Sequence, residues 1–108
     1  MAGLDTIVIV EDSLVRNFLR AALQRHGYLS VCASSDEAAN ILRSGRATLL
    51  ITNSPAQFSE FGAVVPLLYL AAFPEPSAAA SFDHWVALPK PFQNAALVHA
   101  VRQLLVAR

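Results

Sequence analysis

At 108 residues the chain has room for one domain with its own core and none for a second, since domains run from roughly 50 to 250 residues. Apolar residues make up 55% and charged residues only 15%, so the surface is short of charge and association with a partner protein or a second copy is slightly favoured. Eight Lys and Arg balance eight Asp and Glu, and the basic residues are scattered from Arg16 to Arg108 rather than gathered in a patch, which argues against a nucleic-acid partner.

Cys32 is the only cysteine, so no intramolecular disulfide can form; between Val31 and Ala33 it reads as a small buried hydrophobe on a strand. No cleavable leader stands at the N-terminus, and no run reaches the ~18 apolar residues that would span a bilayer. A cytoplasmic protein with no membrane contact is expected.

Thr6-Ile7-Val8-Ile9-Val10 is a β-branched run of the kind found in strands buried on both faces, and Glu11-Asp12-Ser13 closes it. From Leu14 to His26, the apolar residues Val15, Phe18, Leu19, Ala22 and Leu23 recur at helical spacing opposite Arg16, Asn17, Arg20 and Gln24, and Gly27 supplies a stop. Leu29 to Ala33 forms a short second strand. A second helix follows to about Ser44, with Ser35 as N-cap and Asp36 and Glu37 in the first turn, where negative charge suits the helix dipole.

Thr48 to Thr52 is the third strand, stopped by Asn53-Ser54-Pro55, and Leu67 to Ala72 the fourth, introduced by Pro66. The stretch from Ala56 to Val65 between them allows about two helical turns. Pro74-Glu75-Pro76 breaks the chain next, Ser77 to Phe82 allows one or two turns, and Trp85 to Leu88 is the fifth strand. After Pro89-Lys90-Pro91, the residues Leu97, Val98, Val101, Leu104 and Leu105 mark a last amphipathic helix from about Gln93 to Val106. Alternating strands and helices predict an α/β domain spanning residues 1–108, a doubly wound five-stranded parallel sheet with right-handed connections.

In such sheets ligands bind beyond the carboxyl ends of the strands. Glu11 and Asp12 follow the first strand, Asn53 the third, Ala71 and Ala72 the fourth and Lys90 the fifth. An acidic pair, a strand-three terminal residue, Lys90-Pro91-Phe92 and the helix leading to Gly27-Tyr28 together resemble a response-regulator receiver domain of two-component signalling, over the whole chain. The resemblance implies a flavodoxin-like fold with strand order 2-1-3-4-5. It also implies that the acidic pair would help bind Mg²⁺, that residue 53 would accept a phosphoryl group, that residues 71 and 87 would report the change, and that Lys90 would contact the phosphoryl oxygens.

Glu11, Asp12 and Lys90 match that pattern. Asn53, Ala71 and Ala87 depart from it: an amide is a poor nucleophile that brings no charge to a hard cation, and alanine can neither donate a hydrogen bond nor act as a switch aromatic. The stretch from Asn53 to Lys90 is also short for the family, which implies shortened third and fourth helices. The expected protein is therefore a degenerate pseudo-receiver and not an enzyme: a phosphorylation-independent interaction or dimerisation module that binds a histidine kinase or another regulator. It needs no cofactor, with weak Mg²⁺ binding at Glu11 and Asp12 left open.

Two other readings compete. One is a phosphotransfer protein with Asp12 or Ser54 as substitute acceptor; the other is a small-ligand binder using the strand-end crevice. Glu11 and Asp12 also read as a polar helix cap, and Lys90 as the partner of one of these carboxylates. His26, His84 and His99 show no ligand spacing for zinc. Trp85, Phe92, Phe58, Phe61 and Phe82 read as core or rim of the shortened flank, with any exposed member a candidate interface anchor.

Overall fold

A computed structural model describes residues 6–106. In chain order the elements are β1 (Thr6–Val10), α1 (Ser13–Arg25), β2 (Ser30–Cys32), α2 (Ser35–Arg43), β3 (Ala47–Thr52), a 3₁₀ segment (Pro55–Phe61), β4 (Leu67–Ala71), a 3₁₀ turn (Pro76–Ala79), β5 (Trp85–Pro89) and α3 (Asn94–Val106). All five strands are parallel, in the order β2-β1-β3-β4-β5. The doubly wound fold expected from the sequence is the fold observed.

Side chains on a strand alternate between faces, so each central strand feeds two separate cores. Ile7, Ile9, Leu49, Ile51, Leu68 and Leu70 pack with Leu19, Ala22 and Leu23 of α1 and Leu97, Val101 and Leu104 of α3. On the opposite face Val8, Leu50, Leu67 and Tyr69 pack with Ala38 and Leu42 of α2 and with Phe58, Phe61, Ala79 and Phe82. That second flank has only a nine-residue helix and two 3₁₀ pieces to cover it. Aromatic bulk makes up for missing helix length: Phe58, Phe61 and Phe82 are all at most 6% exposed, each contributing on the order of 2–3 kcal/mol by burial.

The first 3₁₀ segment has its kink at Phe58, whose backbone leaves helical geometry (φ −121°, ψ 22°), in keeping with the short runs that 3₁₀ hydrogen bonding supports. Its C-terminal end lies against the chain before β5. Asp83 N–H donates to the Gly62 carbonyl at 3.0 Å, and Gly62 is packed so tightly on Ser81 and Phe82 that a β-carbon there would meet the Ser81 carbonyl. Glycine is required at this crossing because of close approach, since the Gly62 backbone is ordinary right-handed helical (φ −60°).

Several local expectations need correction. The cap of α2 is Ser34, not Ser35: the Ser34 hydroxyl accepts from Glu37 N–H at 3.2 Å while Ser34 N–H donates to Glu37 Oε1 at 3.0 Å, a complete capping box. The box needs Glu three residues after the cap, a spacing that selects Ser34. Cys32 is half-buried rather than buried, because β2 lies at the sheet edge with neighbours on one side only. Phe18 shares the apolar stripe of α1 and yet is 42% exposed. The second strand and the fourth are each shorter than their apolar runs, ending at Cys32 and Ala71. No helix among the described residues is long and apolar enough to cross a membrane.

Candidate functional site at the strand ends

Parallel strands bring residues distant in sequence to one sheet edge, and there the structure splits the acidic pair. Glu11 follows β1 with its side chain wholly buried, and Lys90 reaches across from the end of β5. The Lys90 ammonium donates to Glu11 Oε1 at 3.2 Å and lies 3.1 Å from Oε2. Oε2 has no other partner among the described residues and is held by this ion pair. Glu11 Oε1 also accepts from Asp12 N–H at 3.2 Å. Lys90 keeps a quarter of its side-chain surface in solvent, so the pair is buried at one end and wet at the other.

Asp12 turns the other way. It is the N-cap of α1, its Oδ1 accepting from Val15 N–H at 3.1 Å. Cap residues sit in extended backbone outside the helix, and Asp12 does so (φ −68°, ψ 166°), which lets its carboxylate meet the helix end. The two bland roles weighed from the sequence, helix cap and ion-pair partner, are thus divided between the two acids.

Asn53 is exposed at the end of β3, and its Oδ1 accepts from the Ser54 hydroxyl at 3.1 Å. Thr52, the residue before it, is fully buried and accepts from Ser54 N–H through Oγ1 at 3.1 Å. Among the described residues no hydrogen bond links Asn53 to Glu11, Asp12 or Lys90. A divalent cation of the magnesium type wants about six oxygens in near-octahedral array. Here one carboxylate is neutralised by an ammonium, the other is tied to a helix N-terminus, and residue 53 is uncharged; these residues as arranged do not fit the ion. No group of three or more potential metal-ligating His, Cys, Asp or Glu occurs among the described residues.

Ala71 and Ala87 sit on adjacent strands near the same edge, with Lys90 N–H donating to the Ala71 carbonyl at 2.9 Å. Ala87 is in register with Tyr69 of β4, so the large aromatic of this pair stands on the inner strand and the small residue on the outer one. Tyr69 is 6% exposed, and its hydroxyl accepts from Glu75 N–H at 3.3 Å. That contact is invisible in the sequence, where Tyr69 reads as one more strand hydrophobe.

Beside Lys90, an apolar groove of about 480 Å³ is lined by Leu14, Val15, Phe18, Lys90, Pro91 and Phe92. The rings of Phe18 and Phe92 meet at 5.9 Å between centroids and 58° between planes, a tilted contact of the kind aromatic quadrupoles favour. Leu14 is 83% exposed at the rim. Of the aromatics flagged from the sequence, Phe58, Phe61 and Phe82 are core, whereas Phe92 lies at the groove and Trp85 is half-buried on the edge strand. Periodicity alone gives no interface role to Phe18 or Leu14, because a helical stripe does not say where the packing partner ends.

Sheet order, strand-end lysine and acid after β1 can be set against solved structures. A response regulator receiver protein from Sinorhizobium medicae superposes with a TM-score of 0.77 at 22% identity, covering 99% of this chain and 98% of that one. The fold is that of a response-regulator receiver domain. The chemotaxis protein CheY4 of Vibrio cholerae gives a TM-score of 0.74 at 20% identity, over 95% of this receiver-like chain and 100% of its own. The N-terminal domain of a response regulator/sensory box/GGDEF protein from Carboxydothermus hydrogenoformans gives 0.75 at 20% identity, over 95% of each chain. No family model matches the sequence, and no curated protein matches it.

Proposed function

We propose that this receiver-like chain is a phosphorylation-independent interaction module of two-component signalling, binding a histidine kinase or another regulator and carrying out no catalysis. The observation that carries this reading is the Lys90–Glu11 pair beside an amide at residue 53. In the receivers that the chain resembles, the lysine answers a phosphoryl group; here its charge is already answered by a buried carboxylate, and Asn53 offers no carboxylate nucleophile. The apolar groove next to Lys90 offers a partner apolar surface to bury.

Neither substitute acceptor is favoured by its surroundings. Asp12 caps α1, and among the described residues the Ser54 hydroxyl donates to the amide oxygen of Asn53, which is not a general base. Binding in this reading needs no Mg²⁺. Incubation with acetyl phosphate and Mg²⁺ followed by intact mass measurement should leave the protein unmodified, and a stoichiometric phosphoryl adduct would overturn the reading. Asn53→Asp, which adds anionic oxygen at the same sheet edge, should bind Mg²⁺ more tightly than the native chain by calorimetry; equal affinity would show that residue 53 does not face the acids.

A further inference from the structure

The two edges of the sheet are protected very differently. β2 is three residues long, and short edge strands are one of the ways in which proteins avoid edge-to-edge pairing. β5 is five residues, Trp-Val-Ala-Leu-Pro, with no charged side chain, and the helical segment that precedes it is the four-residue 3₁₀ turn Pro76–Ala79.

Hydrogen-bond parity shows which backbone groups of β5 are free. Leu67 N–H donates to the His84 carbonyl at 3.0 Å and Lys90 N–H to the Ala71 carbonyl at 2.9 Å. Bonding direction alternates along a strand, so His84, Val86, Leu88 and Lys90 face β4, while Trp85, Ala87 and Pro89 turn their backbone groups outward. Among the described residues, no hydrogen bond reaches the N–H groups of Trp85 and Ala87 or the carbonyls of Trp85, Ala87 and Pro89. Each of those groups needs water or another strand.

We infer that this edge pairs with β5 of a second copy, antiparallel about a two-fold axis through Ala87, so that two five-stranded sheets join into one. A two-fold interface must be self-complementary, and antiparallel pairing centred on Ala87 satisfies this at every position. At the axis, Ala87 and the partner's Ala87 exchange two N–H···O bonds. On each side Trp85 N–H donates to the carbonyl of the partner's Pro89. The side chains match as well. Trp85 stands opposite the partner's Pro89 on one face, and Val86 opposite the partner's Leu88 on the other, while the small Ala87 side chains meet at the centre. No like charges oppose one another within the strand, an arrangement that would be destabilising. Pro89 is the one imperfection: it lacks an N–H to return to the partner's Trp85.

That imperfection provides a test in both directions. Sedimentation of the full chain should show a reversible dimer. Ala87→Pro removes the N–H at the axis without removing a bond to β4, and should leave a folded monomer. Pro89→Val supplies the missing N–H on an exposed residue, and should lower the dimer Kd about tenfold or more, from one added bond on each side. Amide exchange followed by NMR locates the contact: Trp85 and Ala87 should exchange freely in dilute protein and become protected as concentration rises. A chain that stays monomeric at millimolar concentration overturns the inference. So does a dimer in which these two amides remain unprotected, or protection that requires an added foreign peptide. The inference stands apart from the reading of the Asn53 site, because phosphodonor chemistry at residue 53 does not enter the result.

Discussion

Glu11 and Lys90, 79 positions apart in the chain, form an ion pair in which the Glu11 side chain is fully buried and the Lys90 side chain three-quarters so. Removing one member of a buried pair typically costs about 3–5 kcal/mol and of an exposed pair ~0–1 kcal/mol, so this half-wet pair falls between. Lys90→Met should lower stability by at least ~1 kcal/mol, because it strands a buried carboxylate. Adding Glu11→Gln should recover part of that loss, since the charge that was stranded is gone. Denaturant melts of the two single variants and the double variant measure the coupling; a neutral Lys90→Met would show the pair to be fully solvated.

Gly62 should tolerate no side chain. A β-carbon would press on the carbonyl of Ser81, with the Ser81 carbonyl carbon at 2.6 Å and Phe82 Cα at 3.1 Å, and these backbone atoms cannot rotate aside as a flexible side chain would. Gly62→Ala should destabilise by about 1–3 kcal/mol or more, the range for overpacking, despite the better helix propensity of alanine. A melt showing unchanged or increased stability would mean that the segment before β5 moves freely.

The capping box of α2 gives a pH dependence of known sign. The Ser34 N–H, and then the Ser34 hydroxyl, hold the Glu37 carboxyl below its ordinary value. A lowered folded pKa means that this stabilisation is complete above the unfolded pKa and is lost as pH falls through the folded one. The window therefore lies below the ordinary glutamate range, and the neutral region is unaffected. A carboxyl-detected NMR titration should place the Glu37 midpoint below that of an exposed glutamate, and Glu37→Gln should flatten the acid loss of α2 structure.

Phe18 and Phe58 should respond differently to the same truncation. Phe58 is 1% exposed in the core of the shortened flank, so Phe58→Ala should cost about 3–5 kcal/mol. Phe18 is 42% exposed and rests against Phe92 at the groove, so Phe18→Ala should cost only about 1 kcal/mol, the scale of one aromatic contact with partial burial. Paired denaturant melts decide it. Equal losses would mean that the groove is part of the core and not a free surface.

Local chemistry carried much of this protein. The five strands are legible because β-branched and apolar runs end at Glu11, Asn53 and Pro89, and the long helices because Leu19, Ala22, Leu23, Leu97, Val101 and Leu104 recur at helical spacing and are buried. Those are signals within one element, which a chain carries before it folds. The resemblance that Glu11, Asp12 and Lys90 suggested has its counterpart in the receiver fold, and the shortened flank appears as two 3₁₀ pieces.

Other features depend on three-dimensional neighbours and had no local signal. Adjacent acids look alike in sequence, yet Glu11 is drawn to Lys90 across the sheet while Asp12 turns out to cap α1, because the strand end points one inward and the helix start takes the other. Phe18 belongs to the same stripe as Leu19 but is exposed, since burial is decided by where α3 and the Phe92 loop pass. Whether Trp85 and Ala87 offer their backbone groups to β4 or to open solvent depends on register, which a shift of one residue would reverse. The sequence by itself determined which segments are strands and helices and in what order, because propensity and periodicity act along the chain; the tertiary structure alone decided which charges pair, which rings are covered and which edge is left open, because these depend on distances between residues that meet only after folding.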